Sequence, residues 1–129
     1  LKLLLVAGGG SIGALLRYVI STLIPGLSLW KSGLFPLGTL LVNTVASFCI
    51  GILLGIDYQG FLSSRAKLLL GTGFCGGLST FSTFAAETLE LLGEKQYLLF
   101  GLNVLLNNIL TIGFVFLGLV SARWVWGRA

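Results

Sequence analysis

Histidine is absent from this chain, acidic residues number four, proline and cysteine two each, and charged residues of both signs make up 9% of the 129 positions. Each scarcity excludes something. Without histidine, and with no cysteine or carboxylate cluster at ligand spacing, a zinc site has no donors. Cys49 and Cys75 fall in apolar segments, where a disulfide would need two helices to meet at one depth, so they read as free thiols. With so few charges, no separate soluble domain fits. The Lys and Arg excess, a formal +4, is loop charge that leaves no basic face for nucleic acid, and no nucleic-acid partner is expected.

What is abundant is apolar residue: 56% of the chain, with a mean hydropathy of +1.03. A helix needs ~20 mostly apolar residues to cross a bilayer core, so the length has room for about four spans. The reading is an all-α, multi-pass membrane protein. Its single transmembrane domain covers 1–129, with spans near 3–24, 36–56, 66–92 and 97–120. The first segment outlasts the apolar region of a signal peptide and lacks a small-residue cleavage pattern, so it is expected to be a helix of the mature protein.

Span one carries Gly9 and Gly13 on one face, a spacing that lets another helix backbone approach closely. Helix packing is a far stronger reading of these glycines than phosphate binding, since no strand precedes them and no nucleotide-binding unit fits. Arg17 admits two readings of equal weight, a side chain that snorkels to the interface or one that lines a water-filled mouth and attracts anions. Pro25 and Gly26 end the span, Trp30 and Lys31 mark an interfacial loop, and Pro36 opens span two. There Thr39, Asn43 and Ser47 recur every fourth residue as one polar stripe. Either hydroxyl alone reads as interhelical glue. Asn43 is costlier to bury and reads as part of a lined path.

After a polar turn at Asp57, Tyr58, Gln59 and Gly60 comes span three, with the least lipid-like stretch of the chain near its middle. Residues 73–84, Gly-Phe-Cys-Gly-Gly-Leu-Ser-Thr-Phe-Ser-Thr-Phe, hold three glycines, four hydroxyls and three phenylalanines. Such backbone at membrane depth is tolerated where it lines a cavity or is buried in protein, which predicts a helix interrupted partway. Ser79, Thr83 and Glu87 fall four apart, while Phe81 and Phe84 share a different face. Span four, after a loop at Gly93, Glu94 and Lys95, carries a third stripe of Asn103, Asn107 and Thr111, with Asn108 pointing elsewhere as a packing residue. The tail from Arg123 to Arg128 reads as an aromatic and basic interfacial anchor. Lys2, Arg65, Lys67, Arg123 and Arg128 fall on one side and Lys31 and Lys95 on the other, five against two, or three with Arg17 counted, a thin margin that leans toward cytoplasmic termini.

Three stripes of hydroxyls and amides on three helices describe a polar path. Carboxylate is what they lack: spans one, two and four have none, and Glu87 and Glu90 lie toward the end of span three. A proton-coupled pump needs an acid within the membrane, so passive passage of an anion or neutral solute fits better. Hydroxyl and amide groups donate hydrogen bonds, and an aromatic ring presents a positive edge. Phe81 and Phe84 edge-on to the path would stabilise a small anion without trapping it; spacing alone favours core packing, and their place beside the interruption favours the path. The same interruption exposes carbonyls that suit a cation and NH groups that suit an anion.

The chain resembles the Fluc or CrcB fluoride channels over essentially its whole length. The resemblance is carried by Gly9-Gly10-x-x-Gly13-Ala14-x-x-Arg17-Tyr18, by Gly38-Thr39-Leu40-x-Val42-Asn43, and above all by residues 73–84. It implies a four-helix subunit with its third helix broken near the middle, paired with a second copy as an antiparallel, dual-topology homodimer carrying two fluoride pores. It implies passive export of fluoride from the cytoplasm across the bacterial cytoplasmic (inner) membrane, relieving its toxicity. Asn43 would donate to fluoride, the ring edges of Phe81 and Phe84 would meet the ion, and Thr39, Ser82, Thr83, Asn103, Asn107 and Thr111 would belong to the polar track. Backbone carbonyls of Gly76 and Ser79 from both copies would hold a structural Na⁺. Ser79 stands where many members have Thr, and Asn103 and Asn107 stand where some have Tyr or Ser.

Two other classes are weighed against this one. A small multidrug-type proton-coupled antiporter shares the four-helix architecture but relies on a glutamate in its first helix, which span one lacks. An accessory subunit of a larger membrane complex leaves the three stripes without a purpose.

Overall fold

The computed structural model describes residues 1–23 and 35–127. The expected loop at Pro25, Gly26, Trp30 and Lys31, and Arg128 in the tail, lie outside the described residues. Helix α1 spans Lys2–Leu23 and α2 Leu37–Asp57. Helix α3, residues 64–78, joins a first turn at Ser64–Ala66, a π-helical stretch at Lys67–Cys75 and a last turn at Gly76–Leu78. Helices α4 and α5 span Phe81–Gly93 and Tyr97–Trp126.

The boundaries follow local chemistry. Pro36, which has no NH to contribute, occupies the N-cap of α2. Past Asp57 the chain turns at Gly60, whose φ of +77° is in the left-handed region that glycine enters without strain. Ser63 caps α3 by accepting from the Ala66 NH at 3.2 Å. Within α3 the winding widens, and the Gly76 NH reaches the carbonyl of Gly71 five residues back. α5 has 30 residues, roughly 45 Å at the usual helical rise, more than a hydrocarbon core requires. It therefore runs past the expected end at Val120 through Arg123 and Trp124, because nothing before Gly127 breaks the helix.

Two pairs of parallel helices form the body, and glycine sets the contact in each. On α1, a Cβ at Gly9 would collide with the carbonyl oxygen of Leu69, and one at Gly13 with that of Phe74; a Cβ at Gly73 would lie 2.8 Å from the Val6 carbonyl. On α2, Gly51 faces the Val115 backbone, while Gly118 of α5 faces that of Phe48. Within lipid no hydrophobic force draws helices together, so this close backbone packing carries the association. Between the pairs lies a small core of Val42, Ala46 and Leu78, with Ile20 and Phe74 against it. Phe48 and Phe114 meet edge to face with centroids 6.3 Å apart.

The outer surface is apolar, with Leu3, Leu98 and Ile112 at least 70% exposed. Four segments, Lys2–Thr22, Leu37–Asp57, Ser64–Gly93 and Tyr97–Trp126, are long and apolar enough to cross a membrane. The protein is a multi-pass membrane protein. At one end of the bundle Lys67 pairs with Asp57 at 2.6 Å and the Arg123 guanidinium lies 5.3 Å from the Tyr58 ring centre. Both cysteines are free thiols.

Candidate functional site

The polar residues converge where α3 gives way to α4. Ser79, with ψ of 157°, and Thr80, with φ of −149° and ψ of 111°, are extended between the two helices. Thr80 caps α4: its hydroxyl accepts from the Thr83 NH at 3.2 Å and donates to the Thr83 hydroxyl at 2.9 Å. Because the chain is extended here, the fourfold spacing of Ser79, Thr83 and Glu87 does not make one helical stripe. Ser79 precedes α4, while Thr83 and Glu87 are on it.

Phe81 and Phe84 do come together, with ring centroids 5.5 Å apart and planes tilted by 55°. Their environments differ: Phe81 is 79% exposed and Phe84 9%. Ser82 and Thr83 are exposed beside them.

Asn43 of α2 reaches across to the extended residues. Its Oδ1 accepts from the Thr80 NH at 2.8 Å, and its Nδ2 donates to the Thr80 carbonyl at 3.3 Å and to Asn107 Oδ1 at 3.2 Å. Asn107 Nδ2 donates to Asn103 Oδ1 at 2.9 Å and to the Asn103 carbonyl at 3.1 Å. Asn103 Nδ2 donates to the Thr88 hydroxyl at 2.8 Å, which donates to the Phe84 carbonyl at 2.6 Å. Asn43, Asn103, Asn107 and Thr88 are all buried. Unpaired amides at such depth would be costly, and mutual hydrogen bonding offsets that cost.

A cavity of about 250 Å³ opens beside this network. Asn43, Ser47, Asn107 and Thr111 line it together with both phenylalanines. Asn108 lines it too, with its Nδ2 donating to the Val104 carbonyl at 2.7 Å, so the packing role expected for it is replaced by a place on the wall. Asn103 is fully buried behind Asn107. Thr39 is buried as well and donates to Glu87 Oε1 at 2.8 Å, while Glu87 Oε2 is buried without a hydrogen-bond partner among the described residues. Sequence reading left Glu87 out of the path because it lies toward the end of its span. Its fourfold spacing from Thr83 was the available signal.

Arg17 takes neither of its two expected forms outright. Its guanidinium turns inward, and Nη1 donates to the Ser79 carbonyl at 3.3 Å. A fixed positive charge thus stands beside the extended residues, and no carboxylate lines the cavity. Amide and hydroxyl donors, a helix start and a nearby guanidinium together favour negative charge.

The profile of one family, described as "CrcB-like protein, Camphor Resistance (CrcB)", matches residues 4–119. A Pyrococcus abyssi protein named fluoride-specific ion channel FluC is 56% identical over 122 residues, 94% of each chain. Proteins of the same name are 44% identical over 125 residues in Methanococcus maripaludis, covering 97% of this chain and 98% of the relative, and 47% identical over 117 residues in a Shewanella species, covering 91% and 92%. The match spans all four membrane-crossing segments and includes the extended residues, the amide network and the phenylalanine pair: the chain belongs to the CrcB-like family.

Proposed function

We propose that the protein is a passive, fluoride-selective channel that lets fluoride leave the cytoplasm down its electrochemical gradient. The observation that carries this reading is the cavity itself: side-chain donors and two aromatic rings surround it, and no carboxylate does. The name of the relatives supplies the ion. Fluoride is small and strongly hydrated, so a path must replace its water with hydrogen-bond donors while offering no fixed cation tight enough to hold it. Arg17 draws anions toward the entrance. The hydroxyls of Ser82 and Thr83, exposed on α4, supply donors along the approach. Asn43 then exchanges its 3.3 Å bond to the Thr80 carbonyl for one to the ion, and the ring edges of Phe81 and Phe84 complete the contact. Asn107 and Thr111 continue the wall, with Asn103 behind them, while Thr39, which donates to Glu87, lies outside the cavity lining.

The working unit in this reading is an antiparallel homodimer in the cytoplasmic membrane. Its support is the exposure of Phe81 and the open space at Gly76, which leave the path unwalled on one side of a single subunit. A second copy of this chain closes it. The interruption at Ser79 and Thr80 then lies at membrane depth, where irregular backbone needs protein on both sides.

A structural Na⁺ between copies would take the carbonyls of Gly76 and Ser79. The last turn of α3 has no following helical NH to occupy its carbonyls, which suits a cation, but Ser79 already accepts from Arg17. Sodium would supply fixed positive charge joining the two interruptions, and Arg17 shares or yields one of its oxygens.

Liposomes containing purified protein test the function. Fluoride should escape, chloride should stay, and no pH gradient should be needed. Equal chloride flux sinks the fluoride reading. Substrate-driven proton movement would revive the antiporter, which α1, without any carboxylate, gives no reason to expect.

A further inference from the structure

The buried hydrogen bonds of the site run in one direction. From the Thr80 NH the chain passes to Asn43 Oδ1, from Asn43 Nδ2 to Asn107 Oδ1, from Asn107 Nδ2 to Asn103 Oδ1, from Asn103 Nδ2 to the Thr88 hydroxyl, and from that hydroxyl to the Phe84 carbonyl. It leaves α4 at its cap, crosses α2 and α5, and returns to α4 at Thr88, ending on the Phe84 carbonyl. Both ends are backbone groups of fixed polarity. An NH can only donate and a carbonyl can only accept.

The Thr80 end fixes Asn43 directly, and each amide then constrains the next, with Thr88 closing the far end. If Asn43 turned over, its Nδ2 would face the Thr80 NH, donor against donor. If Asn103 turned over, its oxygen would face a Thr88 oxygen whose hydrogen is already committed to Phe84. Asn107, between them, is held from both sides. In this arrangement the Oδ1 atoms of Asn43, Asn107 and Asn103 each accept a hydrogen from within the network, so the accepting oxygens of Asn43 and Asn107 are engaged away from a passing anion.

We infer that Thr88, acting through Asn103, is a positioning residue that steadies the Asn107 amide on the cavity wall for anion passage. It is buried and does not line the cavity. Its hydroxyl accepts from Asn103 and donates to Phe84, and so transmits the polarity of the α4 backbone to the amides. Without it Asn103 Nδ2 loses its side-chain acceptor, and Asn107 keeps its bond to the Asn103 carbonyl at 3.1 Å but faces a side-chain amide that can present either nitrogen or oxygen. Chains of this kind are also mutually polarised, so the bonds strengthen one another. The inference rests on the channel reading for its functional consequence and on the hydrogen bonds alone for its geometry.

The test compares Thr88→Val, which keeps the shape and removes the hydroxyl, with Thr88→Ser, which keeps the hydroxyl. Full-length protein in liposomes is assayed with a fluoride electrode. Thr88→Val should slow fluoride efflux about tenfold, the factor carried by one buried hydrogen bond of ordinary strength, and should lower the fluoride-to-chloride ratio. Thr88→Ser should restore most of both. Native rates in Thr88→Val, or equal losses in the two variants, would overturn the positioning role. A second measurement separates the relay from the channel reading: the thermal shifts of Thr88→Val and Asn103→Leu in detergent should be non-additive in the double variant. If the native protein passes no fluoride the channel reading fails, and additive shifts then overturn the relay as well.

Discussion

Replacing Asn43 with alanine removes three hydrogen bonds, to the Thr80 NH, the Thr80 carbonyl and Asn107 Oδ1. Asparagine is 9% exposed at this position and Asn107 5%, so water does not readily take over its partners. Hydrogen bonds between membrane helices average about 0.6 kcal/mol and reach about 1.7, because the unfolded chain in the bilayer also finds partners. Three of them amount to roughly 2 kcal/mol, and roughly 5 at the upper limit. The larger value is the more appropriate here, since the Thr80 NH lies between two helices and has no helical carbonyl to return to. Asn43→Ala should therefore lower the melting temperature in detergent by an amount that a surface substitution does not approach, and fluoride efflux should fall with it. Asn43→Asp separates the two functions of the side chain. A carboxylate still accepts from the Thr80 NH but donates to nothing and adds negative charge at the cavity wall, so it should keep more of the stability than alanine while stopping fluoride. The measurements are a thermal melt and an electrode trace on the same preparations. An alanine variant with native melting temperature would refute the argument, since it would mean that the three bonds hold nothing in place.

Phe81→Ile and Phe84→Ile should both slow fluoride efflux strongly, but only the second should lower the melting temperature of a single subunit, because Phe84 is buried and Phe81 is not; unchanged flux in both returns the rings to packing. Gly13→Leu should prevent α1 from seating on α3, since a first carbon there already meets the Phe74 carbonyl, and size-exclusion chromatography should show aggregated protein; a well-behaved peak would contradict the close packing. Arg17→Gln removes the charge that shares the Ser79 carbonyl, so a sodium titration of thermal stability should shift to lower sodium concentration, and an unshifted curve would exclude competition between the two cations.

Much of the architecture was legible before any coordinates. A bilayer core has a set thickness, so apolar runs of the corresponding length announce spans, and the four segments lie within a few residues of the expected limits except where α5 continues to Trp126. Glycines four apart announce close helix contact, and Gly9 and Gly13 do meet α3. Polar residues every fourth position announce a face, and Thr39 and Asn43 are turned inward together. The π-helical winding of Lys67–Cys75 was not legible, because its apolar and glycine residues suit an α-helix equally well. Nor was Glu87, which a one-dimensional reading assigns to the end of a span although Thr39, 48 positions away, holds it within the bundle.

By itself, then, the sequence determined that four segments are long and apolar enough to cross a membrane, that hydroxyl and amide donors form the polar faces of the helices, and that residues 73–84 are where helix regularity is at risk. Those properties are local or periodic, set by the type of each residue and its neighbours a turn away. What only the tertiary structure decided is which donor meets which acceptor. Asn43 lies 37 positions from Thr80 and 64 from Asn107, and no spacing rule reaches so far. Packing α2 and α5 together beside α4 joined Asn43 of one stripe and Asn107 and Asn103 of another to Thr80 and Thr88 in one directed chain of hydrogen bonds, whose direction is set by the backbone NH of Thr80.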